Sequence, residues 1–308
     1  MPKAKKPKYH AGTATIIGLP NAGKSTLLNG IIGEKLAIVT AKAQTTRTAL
    51  NGVWTNDEAQ IVFVDTPGLH KSDTVINKRM MQAVRAALDS IDVVVFVVDS
   101  KKKPGEEDAQ AVDLVKKPGT PVILVLNKVD KIEDKPRLFA MIEHYQKLHD
   151  FAAYIPISAK TGEGLEVLRK AIIEHLPEAE RLYPEDHLTD VPSRFLAAEM
   201  IREKILILAR QEVPHSVAVL VDEWEDKTNV IRIAATIYVE RDGQKNIIVG
   251  AAGAMIKKIG TAARNEMERF FDRKIFLELF VKVKPDWRNQ PEFLNELDWR
   301  RMVNDRDA

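Results

Sequence analysis

The run Gly18-Leu19-Pro20-Asn21-Ala22-Gly23-Lys24-Ser25 constrains this chain more than any other stretch. It has the spacing G-x-x-x-x-G-K-[ST]. A β-branched run at residues 14–18 precedes it, and a helical pattern begins at Ser25. A strand that feeds a helix through such a loop turns backbone N–H groups toward phosphate oxygens, with the helix dipole behind them. Lys24 then neutralises phosphate charge and the Ser25 hydroxyl ligates Mg²⁺; Thr26 is counted with the nucleotide-binding residues. Taken alone, the run also fits a glycine-rich turn that binds nothing.

The rest of the first half repeats the alternation. Residues 60–64, 93–98, 122–126 and 154–157 read as strands, and the continuous apolar runs at 93–98 and 122–126 predict strands buried on both faces. Helical patterns lie at 25–30, 77–90, 109–116, 136–148 and 165–175. This order predicts an α/β domain with a mostly parallel sheet and helices on both faces, over residues 11–176. Ligands of such sheets bind at the carboxyl ends of the strands. Pro177, Pro184 and Pro192 punctuate a polar stretch, read as a linker over 177–192. A second domain follows over 193–300, with a short tail at 301–308.

Three more motifs fall just after predicted strands. Asp65-Thr66-Pro67-Gly68 places a carboxylate where Mg²⁺ is held through a water, and the Gly68 N–H faces a γ-phosphate; Leu69 comes next. Asn127-Lys128-Val129-Asp130 puts at Asp130 a carboxylate able to accept from guanine N1–H and the exocyclic amine together, a donor pair that adenine lacks. Asn127 braces that loop and the Lys128 stem covers the base. Ser158-Ala159-Lys160 supplies a backbone N–H toward guanine O6. With all four motifs in this order, the sequence resembles the translation-factor-related GTPases. GTP and GDP are the expected ligands, with Lys24, Thr46, Asp65 and Gly68 as the catalytic set.

Between the first two motifs lies Gln44-Thr45-Thr46-Arg47. A switch loop needs a threonine that completes the Mg²⁺ shell when the γ-phosphate is present. Thr46 is assigned to it, because related GTPases place that threonine directly before arginine, with Thr45 as the fallback. The Mg²⁺ set is therefore Ser25, Thr46 and Asp65. Ras-like enzymes orient the attacking water with a glutamine after the D-x-x-G glycine. Leucine at position 69 cannot, so backbone groups, another residue, a monovalent cation or a partner must do so. Asn21 matches an asparagine that coordinates K⁺ in related GTPases. It fits a loop-stabilising role equally well.

The second domain reads helix (195–210), strand, strand, helix, Gly250-Ala251-Ala252-Gly253, helix, strand. The first helix carries apolar residues Phe195, Ala198, Ile201, Ile205 and Leu208 at helical steps and is read as amphipathic. The element order is that of an α+β type II KH domain. Its G-x-x-G turn lets a nucleic-acid backbone approach, and a neighbouring groove holds about four unstacked bases. Lys257, Lys258 and Arg264 follow on the next helix and are the expected phosphate contacts. A helix hairpin with a solvated basic face is the competing reading. Basic and acidic residues nearly balance from Val191 onward, so RNA binding would depend on a local patch.

Together, Q-T-T-R, D-T-P-G-L and the G-x-x-G module with Ile256-Lys257-Lys258-Ile259-Gly260-Thr261-Ala262-Ala263-Arg264 resemble the Era family of bacterial GTPases, from Ala11 to Trp299. The resemblance implies binding near the 3′ end of small-subunit (16S) ribosomal RNA and a role in assembling the 30S subunit. It implies a cytoplasmic protein with peripheral inner-membrane association and no stable oligomer. Two positions depart from the family pattern. Ala43 stands where proline is usual, and both inner G-x-x-G residues are alanine.

Composition sets the outer bounds. The chain has 308 residues, 45% apolar and 29% charged, and no cysteine. That suits two ordinary cores and excludes disulfides, zinc ribbons, Fe–S clusters and thiol nucleophiles. Net charge is +2, so overall electrostatics do not choose a partner. Lys3, Lys5, Lys6 and Lys8 form a basic tail over residues 1–10, read as a solvated terminus rather than a nucleic-acid or lipid contact. Two other functions stay open at this level. One is a nucleotide-gated RNA-binding module without turnover. The other is a GTPase of tRNA modification or of membranes whose last domain binds protein.

Overall fold

The computed structural model describes residues 8–40, 42, 45–69, 74–89, 91–116, 119–134, 136–209 and 216–300. Gln44, Ala43, the first seven residues and the 301–308 tail lie outside the described residues. The chain divides into two compact units. One comprises Met1–Leu36, Thr46–Lys71 and Met80–Asp190; the other comprises Ala37–Thr45, Ser72–Arg79 and Val191–Ala308.

In chain order the first elements are β1 (His10–Ile17), α1 (Lys24–Ile32), β2 (Leu50–Thr55), β3 (Ala59–Asp65), α2 (Val75–Ala86), β4 (Val93–Asp99), α3 (Glu106–Val115), β5 (Val122–Asn127), α4 (Pro136–Gln146), β6 (Ala153–Ile157) and α5 (Leu165–Ile173). The sheet runs β2-β3-β1-β4-β5-β6 and is parallel except for the β2–β3 pair. Val93, Val94, Val95, Phe96 and Val97 of β4 and Ile123, Leu124, Val125 and Leu126 of β5 are wholly buried, as continuous apolar runs require of central strands. One face of these strands packs against Val112, Val115, Met141 and Tyr145.

Strand β2 was not legible in the sequence. Asn51 and Gly52 break its apolar alternation. The glycine is there for packing: a Cβ at Gly52 would lie 3.1 Å from Leu28 and 3.2 Å from Ile32. The stretch read as a linker is bound to this same edge as far as Asp190. Val53 N–H donates to Leu188 O at 2.8 Å, and Gln60 Oε1 accepts from the N–H groups of Leu182 (2.7 Å) and Tyr183 (2.9 Å).

The second unit contains α6 (Ser193–Leu208), β7 (Ala218–Lys227), β8 (Val230–Val239), α7 (Asp242–Val249), α8 (Ala254–Phe271), β9 (Lys274–Val283) and α9 (Pro291–Glu296). Its sheet runs β7-β8-β9, with β7–β8 antiparallel and β8–β9 parallel. The expected order of elements is present, with α9 added at the end. The core joins Ile201 and Ile205 of α6, Ile233 and Ile237 of β8, and Ile259, Ala263 and Met267 of α8. Trp287 is wholly buried and its Nε1–H donates to Ser216 O at 3.0 Å.

Helix α6 corrects the amphipathic reading. Leu196, Ala197, Met200 and Leu206 are buried off the expected stripe, and so are Arg202 and Glu203. Ile207, near its end, is exposed. Among the described residues no helix is long and apolar enough to cross a membrane.

Candidate functional site

The loop after β1 is shaped by close backbone approaches. A Cβ at Gly18 would lie 2.2 Å from Val97 O, and one at Gly23 would lie 2.2 Å from Asn127 Nδ2. Gly23 also has φ 101°, a left-handed conformation that costs glycine little. Asn21 is left-handed too, at φ 63°. Leu69 N–H donates to Gly18 O at 3.4 Å, and a Cβ at Gly68 would lie 3.1 Å from Pro20 Cα. The Asp65–Gly68 turn therefore lies directly against the Gly18–Ser25 loop.

Lys24 is buried, and its Nζ donates to Gly18 O at 3.0 Å and to Leu19 O at 3.2 Å. Burial lowers its pKa to about 8, against the opposing pull of Asp65. Asp65 shows the reverse effect. Burial raises its pKa to about 6, while Lys24, the Ser25 and Thr46 hydroxyls and the Thr66 backbone favour the carboxylate. Two charged groups are thus held in a dry place, which a structural turn would not need.

Three oxygens converge beside them. Ser25 Oγ donates to Asp65 Oδ2 at 2.8 Å and lies 2.8 Å from Thr46 Oγ1; Thr46 Oγ1 is 3.5 Å from Asp65 Oδ2. Asp65 Oδ1 is buried without a hydrogen-bond partner among the described residues. Two hydroxyls and one carboxylate, of which one oxygen is left without a partner, make a hard-oxygen donor set that fits Mg²⁺. The two threonine hydroxyls have different partners. Thr45 Oγ1 donates to Lys42 O at 2.7 Å and pairs with Thr40, whereas the Thr46 hydroxyl meets Ser25 and Asp65. Thr66 Oγ1 donates to Ile16 O at 2.8 Å and secures β3 to β1 rather than facing a ligand.

On the other side of the loop Asn127 ties three segments together. Its Nδ2 donates to Ala22 O at 2.8 Å, and its Oδ1 accepts from the N–H groups of Lys128 (2.8 Å) and Ala159 (3.0 Å). Ser158 Oγ donates to Asp130 Oδ1 at 2.8 Å, which fixes the rotation of that carboxylate. Lys160 is exposed at the edge. Lys128 Nζ donates to Asn21 O at 2.5 Å and to Asp99 Oδ2 at 2.7 Å. Asp99 went unrecognised in the sequence. Its signal was there: it ends the apolar run of β4 and pairs in register with Asn127. Leu69 is half-buried with Leu19 against the first unit's core, so packing accounts for it.

In the second unit the Gly250–Gly253 turn is left-handed at Gly250 (φ 70°), Ala252 (φ 49°) and Gly253 (φ 79°). A Cβ at Gly250 would lie 2.7 Å from Met255 Cβ. Ala251 and Ala252 are exposed, so the tip presents bare backbone. Lys257 and Arg264 lie seven positions apart and share one side of α8, flanking the buried stripe of Ile259, Ala263 and Met267, and Lys258 lies about a quarter turn farther from it. All three cations are exposed.

Residues 13–128 match the family model described as 50S ribosome-binding GTPase, and residues 212–288 match the one described as KH domain. GTPase Era of Ruminiclostridium cellulolyticum is 46% identical over 297 residues, which span 96% of this chain and 99% of that protein. GTPase Era of Syntrophus aciditrophicus is 47% identical over 293 residues, 94% of this chain and 95% of that protein. Two solved structures are similar over 94% of this chain and 99% of theirs, each at 40% identity. One is an alanine variant of Aquifex aeolicus Era bound to GDP and AlF4⁻, with a TM-score of 0.91. The other is Era in complex with MgGDPNP and nucleotides 1506–1542 of 16S ribosomal RNA, with a TM-score of 0.92.

Proposed function

Because this chain belongs to the Era family of GTPases, we propose that it hydrolyses GTP at the Lys24–Ser25–Thr46–Asp65 cradle and binds the 3′ end of 16S ribosomal RNA through its G-x-x-G unit, as a factor in 30S subunit assembly. The observation that carries the nucleotide reading is the convergence of Ser25, Thr46 and Asp65 within hydrogen-bond reach beside a buried Lys24. The observation that supports the RNA reading is the relative solved with an RNA fragment, together with an exposed, left-handed G-x-x-G turn here.

The proposed division of labour follows from the contacts. Backbone N–H groups from Leu19 to Thr26 and the Lys24 ammonium take the phosphates, which are stronger acceptors than the two carbonyls that Lys24 meets. Ser25, Thr46 and, through water, Asp65 hold Mg²⁺, which neutralises charge on the β and γ phosphates when bound. Asp130 reads guanine N1–H and its amine. The Ser158-Ala159-Lys160 loop, set by Asn127, supplies the N–H toward O6. A water oxygen bonds to the γ-phosphorus as the bond to the β–γ bridging oxygen breaks, giving GDP and phosphate. The Gly68 N–H faces the γ-phosphate, and Thr66, Pro67 and Leu69 complete the turn that carries it.

Leu69 has no proton acceptor to orient that water. We assign the missing help to K⁺ held beside Asn21 or to bound RNA. The two proposed domains are residues 11–176 and 193–300. The same reading places the protein in the bacterial cytoplasm, peripherally at the inner membrane, without stable self-association.

The test is GTP turnover in K⁺ buffer with and without an RNA matching the 16S 3′ end. Faster turnover with RNA supports the coupled reading. Binding of both ligands without turnover would leave a nucleotide-gated RNA module instead.

A further inference from the structure

The sheet of the second unit has two faces, and one of them packs against its helices. Along β9, Ile275, Leu277, Leu279, Val281 and Val283 join the core shared with α6 and α8. Side chains alternate across a strand, so Lys274, Phe276, Glu278, Phe280 and Lys282 stand on the other face. All five are exposed. Leaving large aromatic rings in water forgoes the gain of burying them, yet Phe276 is 47% exposed and Phe280 is 51% exposed. Four residues apart on one strand, they stand about 13 Å from each other.

The neighbouring strand completes this surface. Arg232 of β8 is level with Phe276, and its guanidinium lies 5.1 Å from the centre of that ring. Thr236 is level with Phe280, and its hydroxyl donates to Asp222 Oδ2 at 2.7 Å. Tyr238 is level with Lys282 and meets Phe293 of α9 edge to face, with ring centres 4.8 Å apart. The cap formed by α9 therefore reaches Tyr238 and leaves both rings of β9 open.

The charges on this face select its partner. Arg232, Lys274 and Lys282 surround the two rings, and on β8 and β9 only Glu278 stands against them. Lys274 is 3.9 Å from Glu268, but its side chain is 80% exposed, so that pair holds it weakly. Glu223 and Glu225 of β7 face the same way, which confines an anionic ligand to the β9 side. Lysines are depleted from the cores of protein interfaces, whereas aromatic rings flanked by cations suit a single strand of nucleic acid.

We propose that the outer face of β8 and β9 is a second surface for single-stranded RNA. Phe280 and the Phe276–Arg232 pair each offer a flat surface to an unpaired base, and Lys274 and Lys282 meet the flanking phosphates. The G-x-x-G turn joins α7 to α8, whose buried residues Ile248 and Ile259 pack on the opposite face. The inference rests on the RNA reading proposed above and extends the footprint past the four or so bases that such a groove holds.

The experiment uses the full chain and two labelled single strands from the 16S 3′ end, one of about four nucleotides and one of about ten. Fluorescence anisotropy gives both affinities. Phe276→Ala combined with Phe280→Ala should weaken binding of the longer strand about tenfold or more, the worth of stacking one base, and leave the shorter strand unchanged. Lys274→Gln combined with Lys282→Gln should flatten the salt dependence of the longer strand by about two phosphate contacts. Unchanged affinity for the longer strand in the folded phenylalanine variant would overturn the proposal. So would an equal loss for both strands, which marks a structural role of the rings. A wild-type dimer, seen by light scattering and dissolved by the phenylalanine variant, would make the face a self-contact and overturn it too. Where the phenylalanine variant does not fold, the lysine variant carries the test, and an unaltered salt dependence overturns the proposal. Wild-type protein that binds neither strand would sink the RNA reading itself and this inference with it.

Discussion

Asn127 and Ala22 stand 105 positions apart, and the Asn127 amide donates to the Ala22 carbonyl at 2.8 Å. The same side chain accepts the Ala159 N–H at 3.0 Å. One amide thereby sets the distance between the phosphate loop and the loops that read the base. Asn127→Ala removes these two bonds and the one from Lys128 N–H. We expect GTP and GDP affinity to fall together by about tenfold, which at 1.4 kcal/mol is the worth of one or two hydrogen bonds. Titration calorimetry with each nucleotide reads this directly.

Gly23 lies against that amide. A Cβ there would meet Asn127 Nδ2 at 2.2 Å, and the φ of 101° is strained for any L side chain. Gly23→Ala should abolish nucleotide binding and lower thermal stability by about 1–3 kcal/mol. Adding Asn127→Ala relieves the clash but not the backbone strain. The double variant should therefore regain part of the stability and none of the binding.

Asp65 makes Mg²⁺ dependence sensitive to pH. Its pKa is raised from 3.8 to about 6 by burial, so the folded protein holds this proton more tightly than the unfolded chain. The stability that this group contributes is present below pH 3.8, is lost as pH rises to about 6 and stays lost above it. Mg²⁺ needs the carboxylate, so Mg²⁺-dependent nucleotide affinity should be flat above pH 6 and fall about tenfold per unit below it. Asp65→Asn should melt higher than wild type at pH 7 without Mg²⁺ and lose the Mg²⁺ response. Melting curves between pH 5 and pH 8, with and without Mg²⁺, check both signs.

Potassium dependence separates two accounts of Asn21. Asn21 is exposed, and its carbonyl accepts from Lys128 Nζ at 2.5 Å. If its side chain holds K⁺ near the phosphates, turnover should be several-fold faster in K⁺ than in Na⁺, and Asn21→Ala should erase the difference. Equal rates in the two salts would leave Asn21 as a residue of the turn.

The G-x-x-G tip offers backbone rather than side-chain contacts, since both inner residues are alanine. Ala252 has φ 49°, a conformation that aspartate tolerates better than most residues. Ala252→Asp should therefore fold normally while setting a negative charge against phosphates. RNA affinity should drop at least tenfold, by about 1.4 kcal/mol or more. Nucleotide affinity without RNA should not change. Fluorescence anisotropy with a labelled 16S 3′-end oligonucleotide measures the first, and nucleotide titration the second.

What the sequence determined is local. A phosphate loop is recognised by backbone N–H groups within a single turn, so its glycines, Lys24 and Ser25 must keep fixed spacing, and that spacing is visible in one line of text. The strands β4 and β5 are legible for a similar reason: burial on both faces leaves an unbroken apolar run. Where local pattern and packing part company, the sequence misleads. β2 hides behind Asn51 and Gly52, the second of which close neighbours require. The stripe read along α6 understates how much of that helix is buried. The structure alone decided which distant groups meet: Asn127 with Ala22, Lys128 with Asp99, and Arg202 with Thr45. Such pairs depend on strand order and on which segment joins which core. Both are set by the total free energy of burial across the chain, so neither leaves a periodic trace in the residues themselves.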